Sequence, residues 1–143
     1  DESMPEPTNF SASIREELLV SKDEVLASIE DAESIVWDAR AIEEFNGTKV
    51  TALRNGHIPG AANLNWLGLQ DRENGLRLKA LPELQQQLNE LGISKDKKVI
   101  THCQTHHRSG LTYLVGKALG YDIRAYDGSW SEWGNDPEVP IEK

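Results

Sequence analysis

The sequence predicts an α/β domain in which helices cover both faces of a parallel sheet. Short apolar segments of strand length alternate along the chain with segments whose apolar residues recur at helical spacing. Strands that are separated by helices cannot pair through tight turns, so they are expected to run parallel. With 143 residues, the chain is long enough to form one domain with a substantial hydrophobic core.

Local signals indicate each helix and strand. A helix is expected to begin after Ser21, because Glu24 three residues later completes a capping box. Pro82 fits the first turn of another helix, and Gly120 ends a third helix that begins near Ser109. Further elements are expected as a short helix at 42–45 and strands at 34–38, 62–64, 97–103 and 121–128.

The composition is that of a globular protein, and it excludes two classes of function. Hydrophobic residues make up 38% and charged residues 27% of the chain. The net charge of −9 argues against nucleic-acid binding, and no apolar stretch is long enough to span a membrane. Residues 1–12 are acidic and without periodicity, so a linker or arm is expected there, followed by a domain at 13–143. No leader peptide is recognisable, and a cytoplasmic location is expected.

The segment THCQTHHRSGL places the only cysteine of the chain beside cationic side chains. Cys103 ends a buried strand, and a helix is expected to begin near Ser109. A backbone that turns from strand to helix can aim several N–H groups inward, and the helix N-terminus adds partial positive charge. His106, His107 and Arg108 add further positive charge. Such surroundings favour the thiolate and lower the cysteine pKa, so we expect a nucleophile that accepts an anionic substrate.

Two other interpretations of this segment are possible. A cysteine at a strand end is often an inert hydrophobic residue, but such cysteines have apolar neighbours and this one has polar ones. Alternatively, the spacing of Cys103 and His106 suits a pair of zinc ligands. His102 precedes Cys103 on the strand, so its side chain is expected on the opposite face. A tetrahedral site would then need ligands from elsewhere, and no bound metal is expected.

Four motifs occur in order: WDAR at 37–40, GHIPGAANL at 56–64, CQTHHRSG at 103–110 and YDGSWSEWGN at 126–135. With these motifs on its strand–helix pattern, the chain resembles a rhodanese domain, and most of all the catalytic C-terminal half of tandem-domain bacterial rhodaneses. The resemblance implies a five-stranded parallel sheet between helices and sulfur transfer through a persulfide on Cys103. It also implies a companion N-terminal rhodanese domain in a longer protein. No cofactor is expected.

Loop length separates sulfur transfer from phosphatase chemistry within this fold. Cell-cycle phosphatases that resemble this fold carry five residues between their cysteine and arginine, enough to surround a phosphate. Here four residues separate Cys103 from Arg108, as in a sulfurtransferase loop. The loop matches neither the vertebrate thiosulfate-type nor the mercaptopyruvate-type sequence. Glu43, Glu44 and Phe45 stand where mercaptopyruvate enzymes tend to carry Gly-Arg-Phe, which makes mercaptopyruvate a less favoured donor.

The predicted function is transfer of sulfane sulfur from thiosulfate, or a similar small anion, to cyanide, a thiol or a protein. Cys103 is the predicted catalytic residue, and Asp38 is expected to support the site from the end of its strand. Residues expected to bind the substrate are Arg40, Gln104, Thr105, His106, His107 and Arg108. Sulfur transfer from thiosulfate removes no proton from carbon, so the two histidines are expected to act electrostatically. A non-enzymatic persulfide carrier or regulatory module would need the same loop and stays open as an alternative.

Overall fold

The computed structural model describes residues 7–13 and 15–143. In chain order the strands are β1 (Ser34–Asp38), β2 (Ala62–Asn63), β3 (Gln70–Asp71), β4 (Arg77–Leu78), β5 (Lys98–His102) and β6 (Asp122–Ala125). The α-helices are α1 (Lys22–Ser28), α2 (Ile42–Phe45), α3 (Leu81–Glu90), α4 (Ser109–Ala118) and α5 (Ser129–Trp133). Single turns of 3-10 helix occur at Glu16–Leu18 and Trp66–Leu69.

The central sheet is parallel, as predicted, with the strand order β2-β1-β5-β6. It contains four strands rather than the expected five. The chain that runs beside β6 makes one isolated parallel bridge, between Leu19 and Ala125, and the N–H of Val20 donates to the Ala125 carbonyl at 2.9 Å. No longer strand can form there, because Ser21 caps α1 and turns the chain into a helix.

Two hydrophobic clusters lie on opposite faces of this sheet, so helices cover both faces as predicted. Neighbouring side chains of a strand point to opposite faces, and accordingly Trp37 joins one cluster whereas Val36 joins the other. The first cluster includes Leu84 and Leu88 of α3 and Val115 of α4. It also includes Leu119, the residue that directly follows α4. Members of the second cluster that come from α1 and α5 are Val25, Trp130 and Trp133.

Helix ends follow the sequence signals closely, whereas one hairpin was not anticipated. Ser21 and Glu24 form the expected capping box of α1, and Pro82 lies in the first turn of α3. The hairpin of β3 and β4 has only two residues in each strand, and β4 is exposed on both faces. A strand without a buried face carries no alternation of apolar and polar residues, so no sequence pattern indicates it.

The proposed arm at 1–12 lies partly outside the described residues. Residues 7–13 form neither helix nor strand and are exposed to solvent. The boundary between an arm and a domain at 13–143 therefore stays a prediction. Within the described part of the chain, no helix combines the length and the apolar character that crossing a membrane requires.

Candidate active site

The candidate site lies at the carboxyl end of β5, between the two neighbouring strands. The carbonyl of His102 accepts a hydrogen bond from the N–H of Ala39, which follows β1, at 3.0 Å. On the other side, the N–H of Tyr126, which follows β6, donates to the carbonyl of Thr101 at 3.0 Å. The chain leaves the sheet at Cys103 and enters α4 six residues later. Both neighbours thus fix the point at which the loop starts.

The first turn of α5 draws the loop carbonyls away from the cysteine sulfur. The N–H of Trp130 donates to the carbonyl of Cys103 and the N–H of Ser131 donates to that of Gln104, both at 2.9 Å. Ser129 accepts the N–H of Cys103 at 3.4 Å through its hydroxyl oxygen. With these carbonyls directed outward, the following N–H groups of the loop are free to face inward. The loop therefore forms a ring of hydrogen-bond donors.

Cys103 is buried at the centre of this ring, with an exposed fraction of 1%. Burial alone raises the pKa of its thiol. The hydroxyl and the N–H of Ser109, together with the N–H groups of Thr105 and Arg108, donate hydrogen bonds to the sulfur and lower the pKa overall. The arrangement stabilises a thiolate, which is the nucleophilic form of cysteine.

Arg108 closes the loop and forms a bidentate ion pair with Glu44. Its two terminal nitrogens donate to the two carboxylate oxygens at 2.7 and 2.9 Å. The guanidinium also lies near the sulfur of Cys103, and both the carboxylate and the thiolate raise its pKa. Glu44 is almost fully buried, so its charge neutralises part of the positive potential that Arg108 contributes to the loop.

Asp38 and Arg40 form a second ion pair, which lies beneath the loop and is fully buried. Arg40 donates through Nε and Nη2 to the Asp38 carboxylate, at 3.0 and 2.6 Å, and through Nη2 to the carbonyl of Gly56 at 2.8 Å. Its guanidinium stacks over Trp130, 4.2 Å from the ring centre. The expected substrate contact of Arg40 stays a prediction, and in this conformation its guanidinium is enclosed by protein.

His102 lies next to this pair and is fully buried. Its Nε2 is 3.5 Å from a carboxylate oxygen of Asp38, and its Nδ1 lies 3.1 Å from the carbonyl of Cys103. Burial lowers the pKa of His102 although the carboxylate opposes the shift, which favours the neutral imidazole. Across residues 7–13 and 15–143, no three side chains of the metal-binding types come together as a cation site.

The remaining loop residues fall into anchored and exposed groups. Gln104 is anchored to Thr51, since its amide nitrogen donates to the Thr51 carbonyl at 3.0 Å. Thr105 and His107 are exposed at the mouth of the loop. His106 is half-buried, has a positive φ of 63°, and places its Nδ1 2.7 Å from the hydroxyl oxygen of Ser109. Of the predicted loop residues, Thr105 and Arg108 have N–H groups that act on the sulfur of Cys103, whereas Gln104 binds Thr51; the roles of these residues stay predictions.

Three residues with direct roles in this geometry were missed in the sequence. Ser109 was treated only as the start of a helix, although its position directly after the loop could have suggested a hydroxyl near the sulfur. Glu44 was noted only as a departure from another loop type, and it lies 64 residues before its partner. Ser129, which supports the Cys103 N–H, has a φ of 52° that no local pattern indicates.

Comparison with known proteins agrees with this geometry. Residues 21–136 match the family model described as "Rhodanese-like domain". The chain is 46% identical over 142 residues to "Thiosulfate sulfurtransferase" of Azotobacter vinelandii, covering 97% of this chain and 52% of that protein. It is 34% identical over 151 residues to "Sulfur carrier protein TtuD" of Thermus thermophilus, covering 96% of this chain and 52% of that protein. The chain thus spans about half the length of these relatives.

A solved structure shows the same fold. EanB with a cysteine persulfide and ergothioneine superposes with a TM-score of 0.86 over 99% of this chain and 37% of that chain, at 24% sequence identity. At this identity the likeness supports the fold alone. The family match covers most of the chain, including β1, β5, the cysteine loop and α4. This chain therefore belongs to the rhodanese-like domain family.

Proposed function

We propose that this domain transfers sulfane sulfur from thiosulfate, or a similar small anion, through a persulfide on Cys103. The observation that carries the proposal is the ring of donors around a buried cysteine, formed by three N–H groups and the Ser109 hydroxyl, which together lower the pKa of its thiol. A ring with four residues between Cys103 and Arg108 encloses one sulfur atom more readily than a tetrahedral phosphate. The relative named as a thiosulfate sulfurtransferase supports the same reaction.

The reaction has two steps. The thiolate of Cys103 attacks the outer sulfur of thiosulfate, forming a sulfur–sulfur bond while the bond between the two thiosulfate sulfurs breaks. Sulfite leaves with that electron pair, and a persulfide anion remains on the protein. A nucleophilic acceptor, such as cyanide or a thiolate, then attacks the outer persulfide sulfur and restores the Cys103 thiolate. The donor ring lowers the energy of the anion in each state.

Some residues around the ring would bind the anionic donor, and others would support the loop. Arg108 lies near the sulfur and would attract the anionic donor, together with the exposed Thr105 and His107 and the half-buried His106. Gln104 would hold the loop in shape through its hydrogen bonds with Thr51. The Asp38–Arg40 pair would support the strand ends from below, because its charged groups are enclosed by protein.

The test is intact mass after treatment with thiosulfate. We expect a gain of about 32 Da, one sulfur atom, that a thiol reductant removes. The Cys103→Ser variant should remain folded and gain no mass, since Cys103 is the only cysteine of the chain. A thiosulfate–cyanide assay on the same samples measures turnover. A folded Cys103→Ser variant that still transfers sulfur would overturn the proposal.

A sulfur carrier is the second candidate, favoured by the relative that is named as one. A carrier would load sulfur on Cys103 and pass it to a protein partner, with little turnover between thiosulfate and cyanide. Mass gain without turnover would support the carrier, whereas mass gain with turnover would support the enzyme. Because the relatives are about twice as long as this chain, the comparison should include the chain joined to an N-terminal rhodanese domain.

A further inference from the structure

A chain of hydrogen bonds leads from the sulfur of Cys103 toward the surface. Hydrogen bonding from the Ser109 hydroxyl is one of the causes that lower the pKa of the Cys103 thiol, and the same hydroxyl oxygen lies 2.7 Å from Nδ1 of His106. Ser109 is fully buried, and only 1% of the surface of Cys103 is exposed. His106 is only half-buried, so one side of its ring faces solvent. The three side chains thus link an enclosed thiol to water.

The hydrogen-bond directions in this chain can reverse. With a thiol and a neutral His106, the S–H can donate to the Ser109 oxygen while the Ser109 hydroxyl donates to Nδ1. With a thiolate, the hydroxyl donates to sulfur and Nδ1–H donates to the hydroxyl oxygen. Both patterns use the same heavy-atom positions, so no side chain needs to move between them. A serine hydroxyl suits this position because it can donate and accept together.

We propose that Ser109 and His106 carry the proton of the Cys103 thiol to solvent, as a proton path that prepares the thiolate for sulfur transfer. The inference rests on the function proposed above. In the step, the proton of the thiol moves to the Ser109 oxygen while the Ser109 proton moves to Nδ1 of His106. A thiolate and an imidazolium result. The imidazolium then releases the proton on Nε2 to water and remains as the neutral Nδ1–H form.

Charged groups around these three side chains affect whether the proton resides on the Cys103 sulfur or on His106. Around His106, burial and the neighbouring His107 lower the imidazole pKa, whereas the carboxylate of Asp127 raises it. Near the sulfur lies the guanidinium of Arg108, which favours the thiolate and is itself neutralised in part by Glu44. Beneath the loop, the Asp38–Arg40 pair and the neutral His102 complete the charged surroundings. A neutral histidine can take up a proton on one ring nitrogen and release one from the other.

Substitutions can separate proton transfer from structural support. In His106→Asn the side-chain amide can still donate to the Ser109 oxygen, and asparagine tolerates the positive φ at this position. That amide does not titrate, so the variant keeps the hydrogen bond and loses the proton acceptor. Ser109→Ala removes the middle of the path, whereas Ser109→Thr keeps a hydroxyl there. Ser109→Thr is therefore the conservative control for Ser109→Ala.

The measurement is the rate of alkylation by iodoacetamide as a function of pH, with circular dichroism to verify folding. The wild-type profile should need two ionisations, one of the thiol and one of His106, whereas the His106→Asn profile should need only one. Below neutral pH, His106→Asn should react about tenfold more slowly, because its amide cannot take up the proton and so leaves no imidazolium charge beside the thiolate. Ser109→Ala should be as slow, because the hydroxyl donor to the sulfur is lost, and Ser109→Thr should recover most of the rate. At alkaline pH all four proteins should react alike.

Two results would overturn the proton path. One is a His106→Asn profile that superposes on the wild-type profile at every pH. The other is a Ser109→Thr variant that is as slow as Ser109→Ala, which would indicate packing rather than proton transfer. If Ser109→Ala does not fold, the His106→Asn profile alone decides. Sulfur loading by wild-type protein is measured separately by intact mass, so a wild-type chain that ionises as expected but gains no sulfur would contradict the proposed function and not the path.

Discussion

Two arginine–carboxylate pairs lie near the cysteine loop, and they differ mainly in burial. Both side chains of the Asp38–Arg40 pair are fully buried beneath the loop. In the Glu44–Arg108 pair the carboxylate is 4% exposed, whereas the arginine is 27% exposed at the loop itself. The same two functional groups can therefore serve as a support in one place and as part of the reactive surface in the other.

Burial explains why the two pairs cannot exchange roles. The Arg40 guanidinium has lost its water and replaces it with the Asp38 carboxylate, the Gly56 carbonyl and the face of Trp130. Moving it toward a substrate would break all of these contacts at once. Arg108 retains access to solvent and to the sulfur, so it can interact with an arriving anion without being unpacked from the interior.

The largest effect on stability is expected from breaking the buried pair. Arg40→Leu leaves the Asp38 carboxylate buried without its partner, which should lower the free energy of unfolding by about 3–5 kcal/mol. Urea denaturation measures the loss. The double variant Asp38→Leu, Arg40→Leu should be more stable than the single variant, because no unpaired charge remains. A single variant that loses less than about 1 kcal/mol would contradict the supporting role.

For Arg108→Ala we expect a larger effect on sulfur loading than on stability. The rate of loading from thiosulfate should fall at least about tenfold, because the anion and the thiolate lose a nearby positive charge. Stability should fall by about 1–2 kcal/mol, because Glu44 is left buried without its partner. Adding Glu44→Gln should restore part of the stability and none of the rate. Arg124→Ala, which removes a surface charge far from the loop, is the control and should load normally; equal rates in Arg108→Ala would contradict the prediction.

Acid should weaken both pairs. Burial alone would raise the pKa values of Asp38 and Glu44, but Arg40 for the former, and Arg108 for the latter, lower them overall. A carboxyl whose pKa is lower in the folded state stabilises the fold above its unfolded pKa, and this stabilisation disappears as the pH falls through the folded value. Denaturation midpoints compared at about pH 7 and about pH 3 should show this loss.

The Glu44→Gln variant makes this pH dependence specific. Glutamine does not ionise, so the variant should lose less stability than the wild type between the two pH values. Equal losses would mean that Glu44 does not contribute to the acid sensitivity of the fold.

The smallest effect is expected at the surface. Arg124 and Glu24 form an ion pair between β6 and α1, with exposed fractions of 36% and 49%. Because solvent screens such a pair, Arg124→Ala should change the free energy of unfolding by no more than about 0.5 kcal/mol. Denaturation in low and high salt should give nearly the same difference. A loss as large as that of Arg108→Ala would show that burial is not what distinguishes the ion pairs of this domain.

Local sequence patterns predicted the parts of the structure that depend on neighbours in the chain. The cap of α1, the position of Cys103 at the end of β5 and the start of α4 at Ser109 each depend on a few adjacent residues. The prediction of a fifth strand was wrong, because the chain beside β6 pairs with it only through a single bridge at Leu19. Whether a strand forms there depends on how soon the cap at Ser21 turns the chain into α1. A sequence pattern does not tell whether strand pairing or helix capping prevails at these residues.

The remaining features of the site depend on contacts between distant segments. The ion pair of Arg108 and Glu44 joins residues that are 64 positions apart, and no pattern near either residue indicates it. The position of Arg40 at a strand end is compatible with a side chain that points to solvent or to the interior. The side chain points to the interior because the Gly56 carbonyl and the Trp130 ring are placed to contact its guanidinium. Sequence patterns therefore identified the loop but not the groups that hold or neutralise it.

In the proposed reaction, the depth of Cys103 would make the empty thiol and the persulfide differ in how far the reactive sulfur extends from the protein. The empty thiol is almost inaccessible, so large disulfides and bulky electrophiles have little contact with it. A sulfur–sulfur bond is about 2 Å long, so loading places the transferable atom that much farther from the protein backbone. An acceptor too wide to enter the loop could then touch the outer sulfur while the sulfur beneath stays shielded. Under this geometry, the size of a reagent alone would distinguish a loaded domain from an empty one.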